Sequence, residues 1–480
     1  MAAILLILLA QVDAHAVPAA QRAQEYMAAG RFHDAVPLCV ELVKASPRDA
    51  GALVNLGLAQ YMAGDGRAAA KNVDAAAALD PKRADLDRGL EQMSLGHPAL
   101  AAPALRKACE LDPGNQEVRQ VLADALYETG HYYLAAAQLL QVTSARPSNT
   151  RAWYVLGRTW AELARDAQRQ LMDKAPADSA FGLAVAADGL MQRHEYRRAL
   201  VMYNSALAKD PGLLSARASA AEIYRVNGRP EWAAKEQETI SAVDCTAHKL
   251  ACDSAGGRYT DLLAATLTEQ TIEALYWRSQ AYTGLANEAF AKLAQLPESL
   301  ELHRYRATLD YAAGHTADVA AELRKALAFA PKDRGLRRDL AMALGGAGDY
   351  EAAYRIGREL LKDQPGSPEL NDLIGAALLH ELKPEQAIPF LLKALAADRK
   401  NLSIHASLGR AYMQTGAPNL ALPHLRAAAG TDKDGSLHYQ LARAYQMTGQ
   451  PARAAQATAE SRKLSVQSPI PIEPEMAPPQ

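Results

Sequence analysis

A chain of 480 residues is too long for one ordinary hydrophobic core, so it is either several domains or an extended array. Its 52 basic and 54 acidic side chains leave a formal charge of -2, which excludes bulk attraction to nucleic acid or anionic membranes. Alanine and leucine dominate, aromatic content is 6%, and alternating runs of β-branched residues are scarce, so the composition points to helix.

The first residues, MAAILLILLA, form a short apolar core followed by Ala14-His15-Ala16, a small-x-small pattern suited to signal peptidase. Residues 1–16 therefore read as a secretory signal, although no Lys or Arg precedes the apolar core; the alternatives are a late start or a hydrophobic first helix. The segment is shorter than the roughly 20 apolar residues a spanning helix needs, and no later stretch reaches that length. The expected location is periplasmic or secreted, and otherwise cytoplasmic.

From residue 17 onward a pattern recurs. Glycines at 30, 64, 96, 130, 228, 314, 348, 416 and 449 are commonly spaced by about 34 residues. An alanine usually follows five positions later, as at Ala35, Ala69, Ala101, Ala135, Ala233, Ala353, Ala421 and Ala454. A proline closes many of the units: Pro47, Pro81, Pro113, Pro147, Pro211, Pro331 and Pro365. Each position has a physical reason. Glycine permits the turn that ends a first helix. Alanine lets two helices approach closely, and proline ends the second helix. Between them apolar residues recur at helical spacing, as in Trp153, Leu156, Gly157 and Trp160, or Leu408, Gly409 and Tyr412.

These residues, in phase about ten times, resemble the tetratricopeptide repeat family over roughly residues 17 to 464. The resemblance implies an all-α solenoid of ten or eleven helix pairs in a right-handed superhelix, with first helices lining a concave face. It also implies an open trough, without an enclosed pocket for chemistry. The chain is further similar to exported bacterial tetratricopeptide proteins of an Acidobacteria-like kind, which adds no activity.

The phase breaks in three places. Residues 150–179 open as a first helix but lack a turn glycine, so this pair is expected to be elongated. Residues 245–271 fit no repeat and read as a loop or capped insert between an N-terminal array (17–244) and a C-terminal one (272–464). The pair at 272–297 is shortened, LYWRSQAYTGL being its first helix and EAFAKLAQLP a clipped second. Residues 465–480 are proline-rich and read as a disordered tail.

Four cysteines make no disulfide framework. Cys245 and Cys252 are a disulfide candidate if the chain is exported, and otherwise free thiols. With His248 they have the wrong spacing for a metal half-site, so no metal is expected. Cys39 and Cys109 fall within second helices, where a buried small hydrophobe is expected. His194 occupies a turn-glycine position. HExxH, GxSxG, GxxxxGK[ST] and CxxCH are all absent, so neither enzyme activity nor a cofactor is expected.

The family's groove positions, carried over residue by residue, give Tyr61, Tyr127, Tyr154, Arg158, Tyr276, Arg304, Tyr311, Arg338, Arg410, Tyr439 and Arg443. They also give Val54, Leu58, Gln120, Asp124, Gln280 and Thr308. Arginine beside tyrosine suits a protein or peptide segment bearing acidic groups; the other reading is solvated helix faces with weak ion pairs. The expected function is a protein-interaction scaffold in an envelope or secreted complex. The alternatives are an assembly chaperone or a secretion or polysaccharide-export component, or an enzyme accessory active in the 245–271 segment.

Overall fold

The computed structural model describes residues 16–467 apart from residue 332, so the signal reading of residues 1–16 and most of the proline-rich tail lie outside the described residues. All 26 α-helices among the described residues form two compact units, one up to Tyr305 and one from Arg306, and no strand occurs among them. The first unit opens with four hairpins: α1 (Ala16–Ala28) with α2 (Phe32–Ala45), and α3 (Ala50–Met62) with α4 (Gly66–Leu79). Then come α5 (Ala84–Ser94) with α6 (Pro98–Leu111), and α7 (Gln116–Glu128) with α8 (Tyr132–Ala145).

The local chemistry explains each hairpin. All nine turn glycines of the repeat have φ between 72° and 86°, a region costly for a residue with a Cβ. Two exceptions, His194 and Leu382, stand at the same place with φ of 58° and 56°. Of the recurring alanines, Ala35, Ala69, Ala101, Ala135, Ala353 and Ala421 are wholly buried between paired helices. Two residues beyond several of the prolines a polar side chain caps the next first helix: Asp49, Asn115, Asn149, Asp333 and Ser367 each accept from a backbone N–H of the first turn. The cap fixes where these repeats begin.

The breaks in phase resolve in space. α9 (Thr150–Lys174) is one continuous helix of 25 residues, not an elongated pair. α16 (Ile272–Ala294) is likewise one helix of 23 residues, so residues 272–297 are not a shortened pair. The two pack antiparallel against each other along their length. Trp160 stacks on Tyr282 with ring centroids 5.7 Å apart, and a Cβ at Gly157 would lie 2.7 Å from the Phe290 ring. Each long helix supplies what the other lacks: the first helix of a repeat in α9 finds its second half in the C-terminal half of α16. Leu171, Ala164 and Ala167 on α9 and Ala286, Ala289 and Leu293 on α16 are buried as a result.

The chain between them is an excursion of three further pairs: α10 (Ala180–Gln192) with α11 (Tyr196–Lys209), α12 (Leu214–Val226) with α13 (Pro230–Ser241), and the short α14 (Lys249–Ala255) with α15 (Tyr259–Thr266). Residues 245–271 are thus largely helical, and the boundary between compact units falls within α17 (Leu300–Ala312), not at that segment. Lys174 Nζ donates to the Gln270 carbonyl at 3.3 Å where the excursion leaves and returns. The sulfurs of Cys245 and Cys252 are bonded to each other, joining the end of the α13 connection to α14. The N-terminal half of α16 is enclosed by the excursion. Tyr276 is 1% exposed with its hydroxyl 2.6 Å from Ser215 Oγ, and Arg278 donates to the carbonyls of Thr266 and Glu269. Asp188 accepts from Tyr203 at 2.6 Å and from Gln280 at 3.0 Å.

The second unit continues from α17 with α18 (Thr316–Phe329). It then repeats the hairpin four times: α19 (Arg334–Gly346) with α20 (Tyr350–Leu361), α21 (Pro368–His380) with α22 (Pro384–Ala397), α23 (Leu402–Gln414) with α24 (Pro418–Ala428), and α25 (Ser436–Met447) with α26 (Pro451–Gln467).

Two outcomes follow from this packing. Gly157→Ala should lower stability by about 1–3 kcal/mol, because Phe290 is stacked on Tyr305 and cannot simply swing away. Adding Phe290→Leu should recover part of that loss in a denaturation double-mutant cycle. Burial pushes the Asp188 carboxyl up to about 6, against its hydrogen bonds from Tyr203 and Gln280. The unfolded carboxyl takes its proton near 3.9, so between roughly pH 4 and 6 the folded chain holds the extra proton. Stability should therefore fall as pH rises through that window, and Asp188→Asn should flatten this part of the thermal-midpoint profile.

Candidate functional site: a charged pocket on the first helices

In the first unit the first-helix face deepens around the start of α9. The N-terminus of α9 reaches back to the first hairpin, where Thr150 Oγ1 lies 3.4 Å from the Ala29 carbonyl, beside the turn at Gly30. Side chains of α7, α9 and α17 then converge on a pocket of about 320 Å³ lined by Asp124, Tyr127, Glu128, Arg151, Tyr154, Val155, Arg158, Glu301 and Arg304. The pocket is partly open to solvent, a local deepening of the first-helix face and not an enclosed cavity. The first helices come together because Asn149 both caps α9 and donates to Gln120 at 3.1 Å, drawing α9 against α7.

The floor of the pocket is a paired set of charges. Arg151 bridges to Asp124 at 2.8 Å, and Thr150 donates to Glu301 at 3.0 Å. Burial disfavours the Arg151 charge, but Asp124 and then Glu301 more than restore it, so its pKa is raised. Burial raises the Glu301 carboxyl, opposed by Arg151. Burial also raises Glu128, and the neighbouring Asp124 charge adds to it. Tyr61 on α3, packed against the neighbouring hydrophobic core, is pushed up by burial and then by Asp124.

The rim is different. The Arg158 guanidinium lies over the rings of Tyr127 and Tyr154, 4.9 Å and 5.6 Å from their centroids. It is exposed and has no carboxylate partner among the described residues. Its faces are occupied by the rings, so its N–H edges remain for a ligand. Tyr127 is held in turn by its hydroxyl, which donates to Glu162 at 3.4 Å.

Of the groove positions expected from sequence, Asp124, Tyr127, Tyr154, Arg158 and Arg304 line this pocket, and Tyr61 does not. Val54, Leu58 and Gln120 are buried in the packing. Tyr276 is corrected outright: α10 to α15 enclose its helix, so it is core and not groove. In the second unit Tyr311 is 75% exposed, Tyr439, Arg338 and Arg443 are exposed, and Arg338 lies 3.4 Å from Asp339. Arg410 lines a smaller pocket of about 210 Å³ with Ala376, Leu379, His380, Leu382 and Gln414.

Arg151, Glu128 and Glu301 were missed by the sequence reading. No local pattern marks them, since their partners are distant in the chain. Asp310, His315 and Asp318 form the one group of three metal-capable side chains among the described residues, on a solvent-facing turn of the second unit. The Cys245 and Cys252 sulfurs, bonded to each other, are not available as ligands.

Antiparallel helix pairs closed by a left-handed turn, with small residues at the crossing, define a helix-repeat solenoid whose exposed first helices serve binding. The chain carries tetratricopeptide repeats: two family models described as tetratricopeptide repeat match residues 21–84 and 92–159. It is 36% identical over 141 residues to cellulose synthase 2 operon protein C of Komagataeibacter xylinus, a stretch that is 27% of this chain and 11% of that relative. The chain thus spans about a tenth of the length of the curated relative it matches. Among solved structures it is similar to MamA from Desulfovibrio magneticus RS-1 (20% identity, TM-score 0.32, 36% of this chain and 98% of that one). MamA MSR-1 gives 19% identity, a TM-score of 0.31, and coverage of 35% and 98%. Scores this low leave the fold to the helix pairs and the family models.

The buried charges give a direct test. Arg151→Ala leaves Asp124 and Glu301 facing each other's side of the pocket without their cation. It should cost about 3 kcal/mol near neutral pH, measured by chemical denaturation. The loss should shrink as pH falls and the stranded carboxylates take up protons.

Proposed function

We propose that the chain is a protein-interaction scaffold whose first unit anchors a partner segment through a carboxylate at Arg158. The observation that carries this is the arginine itself: braced by Tyr127 and Tyr154, at the rim of a pocket, and without a carboxylate of its own. A carboxylate meeting the guanidinium edge makes two parallel hydrogen bonds, and the tyrosines supply stacking area at small entropic cost. Asp124 and Glu301, already matched by Arg151 and Thr150, shape the floor rather than compete for the ligand. Arg338, Arg410 and Arg443, on first helices of the second unit, offer further contacts of the same sign to an acidic partner.

An exported location fits the apolar leader and the Cys245–Cys252 bond, which persists in oxidising compartments. A second reading, a part in polysaccharide export, is favoured by the 141-residue likeness to the cellulose synthase operon protein.

The test is capture of partners by the immobilised full chain, their identification, and titration of an acidic segment from the partner. Arg158→Ala should weaken binding roughly tenfold or more, about 1.5–3 kcal/mol, and Arg158→Lys should not restore it, because an ammonium lacks the planar fork. Equal affinity for wild type and Arg158→Ala would refute the pocket assignment.

A further inference from the structure

The second unit holds a pair of histidines that the proposed binding pocket does not use. His405 on α23 and His424 on α24 face each other with their Nδ1 atoms 2.8 Å apart. The ring centroids are 5.0 Å apart, close to that distance plus one ring radius at either end. The two nitrogens therefore point at each other along the line between the rings, which is a hydrogen bond and not a chelate aimed at a third point. His405 Nε2 lies 3.2 Å from the Arg399 carbonyl, which can only accept, so that nitrogen carries a hydrogen. In the neutral pair, His424 Nδ1–H then donates to His405 Nδ1.

One added proton is tolerated, because the donor and acceptor can exchange roles: His405 Nδ1–H donates and His424 moves its hydrogen to Nε2. A second proton is not. Both Nδ1 atoms would then carry hydrogen, and two like charges would be pressed together across the helix pair. Burial already holds His424 below the ordinary histidine range, and the neighbouring His405 adds to that.

No side-chain carboxylate bonds to either imidazole. The other charges on the two helices are Arg410 on α23 and Arg426 on α24, both positive. From the packed neighbours, Lys393 of α22 is turned to the Phe390 ring, Asp372 of α21 acts on Arg410, and His438 of α25 is held at 2.7 Å by Asp432. Glu385 of α22, Glu369 and His380 of α21 and Arg443 of α25 complete the titratable and charged side chains of these helices, with Asp398, Arg399 and Lys400 in the link before α23, and none bonds through its side chain to either imidazole. Tyr412 stacks on His424, 5.8 Å between centroids, and supplies no charge.

We propose that His405 and His424 form a proton-operated latch, closed at neutral pH, that loosens α23 from α24 on acidification. The sign follows from which state takes the proton. Once the helices part, each imidazole is free to protonate near pH 6.5, whereas the closed pair refuses the second proton. Closure is favoured fully above that value and lost as pH falls below it. The consequence reaches a surface, because α23 also carries Arg410 and Gln414, which line the pocket of about 210 Å³. Opening the latch removes the support behind that wall.

Hydrogen exchange of the full chain tests this. Protection of amides 402–428, corrected for intrinsic exchange and referenced to α19 and α20, should fall severalfold, up to about tenfold, between pH 7.5 and 5.5. His424→Asn keeps a donor for His405 and cannot charge, so it should keep its protection at both values. If that variant fails to fold, imidazole titration of the wild type by NMR replaces it, with the His424 ring expected to protonate below the ordinary histidine range. The latch is refuted by unchanged wild-type protection, by an equal loss in His424→Asn, or by two rings that titrate independently.

Discussion

The antiparallel contact between α9 and α16 is the constraint on which the first unit depends. A hairpin of two short helices cannot bury its own apolar side and relies on its neighbours. Along most of the array the neighbour in sequence supplies that cover. At α9 it does not: the second helix of this repeat arrives only after three further pairs have been built. Gly157 against Phe290 and Trp160 against Tyr282 are the repeat's ordinary crossing, made by residues distant in the chain. Without that crossing, α9 would have no second helix and α17 no surface for Leu302 to pack on.

The same contact creates the pocket. Because α16 lies behind α9, the N-terminus of α9 is held where Thr150 meets Glu301 of α17 and Arg151 meets Asp124 of α7. Charges from three helices are thereby fixed at short range in a partly dehydrated space. A paired charge there is expensive to break even where its net contribution to folding is small. Arg158, two turns along α9, is carried to the rim by the same helix. Scaffold and site are thus one arrangement viewed from two sides.

Much of the fold was legible in the residues. The glycine, alanine and proline positions marked helix pairs and their turns, because backbone sterics and close helix approach act locally and leave a local signature. His194 was read as a turn-glycine replacement, and its φ of 58° bears that out. Leu382, which does the same, escaped notice because Glu-Leu-Lys carries no turn chemistry. Tyr127, Tyr154 and Arg158 were expected on one face, and the structure brings them together. Tyr276 was placed on that face by the same rule and is core, because the rule assumes that nothing is threaded between first and second helices.

What the sequence by itself determined is the helix pair: where it starts, turns and stops, and which residues touch within it. Those are interactions over a few turns of helix, governed by dihedral preference, capping and side-chain size. What only the tertiary structure decided is pairing at a distance, namely α9 with α16, Arg151 with Asp124, and His405 with His424. Such contacts depend on packing between elements, and a free-standing segment carries no mark of the partner that packing will bring to it.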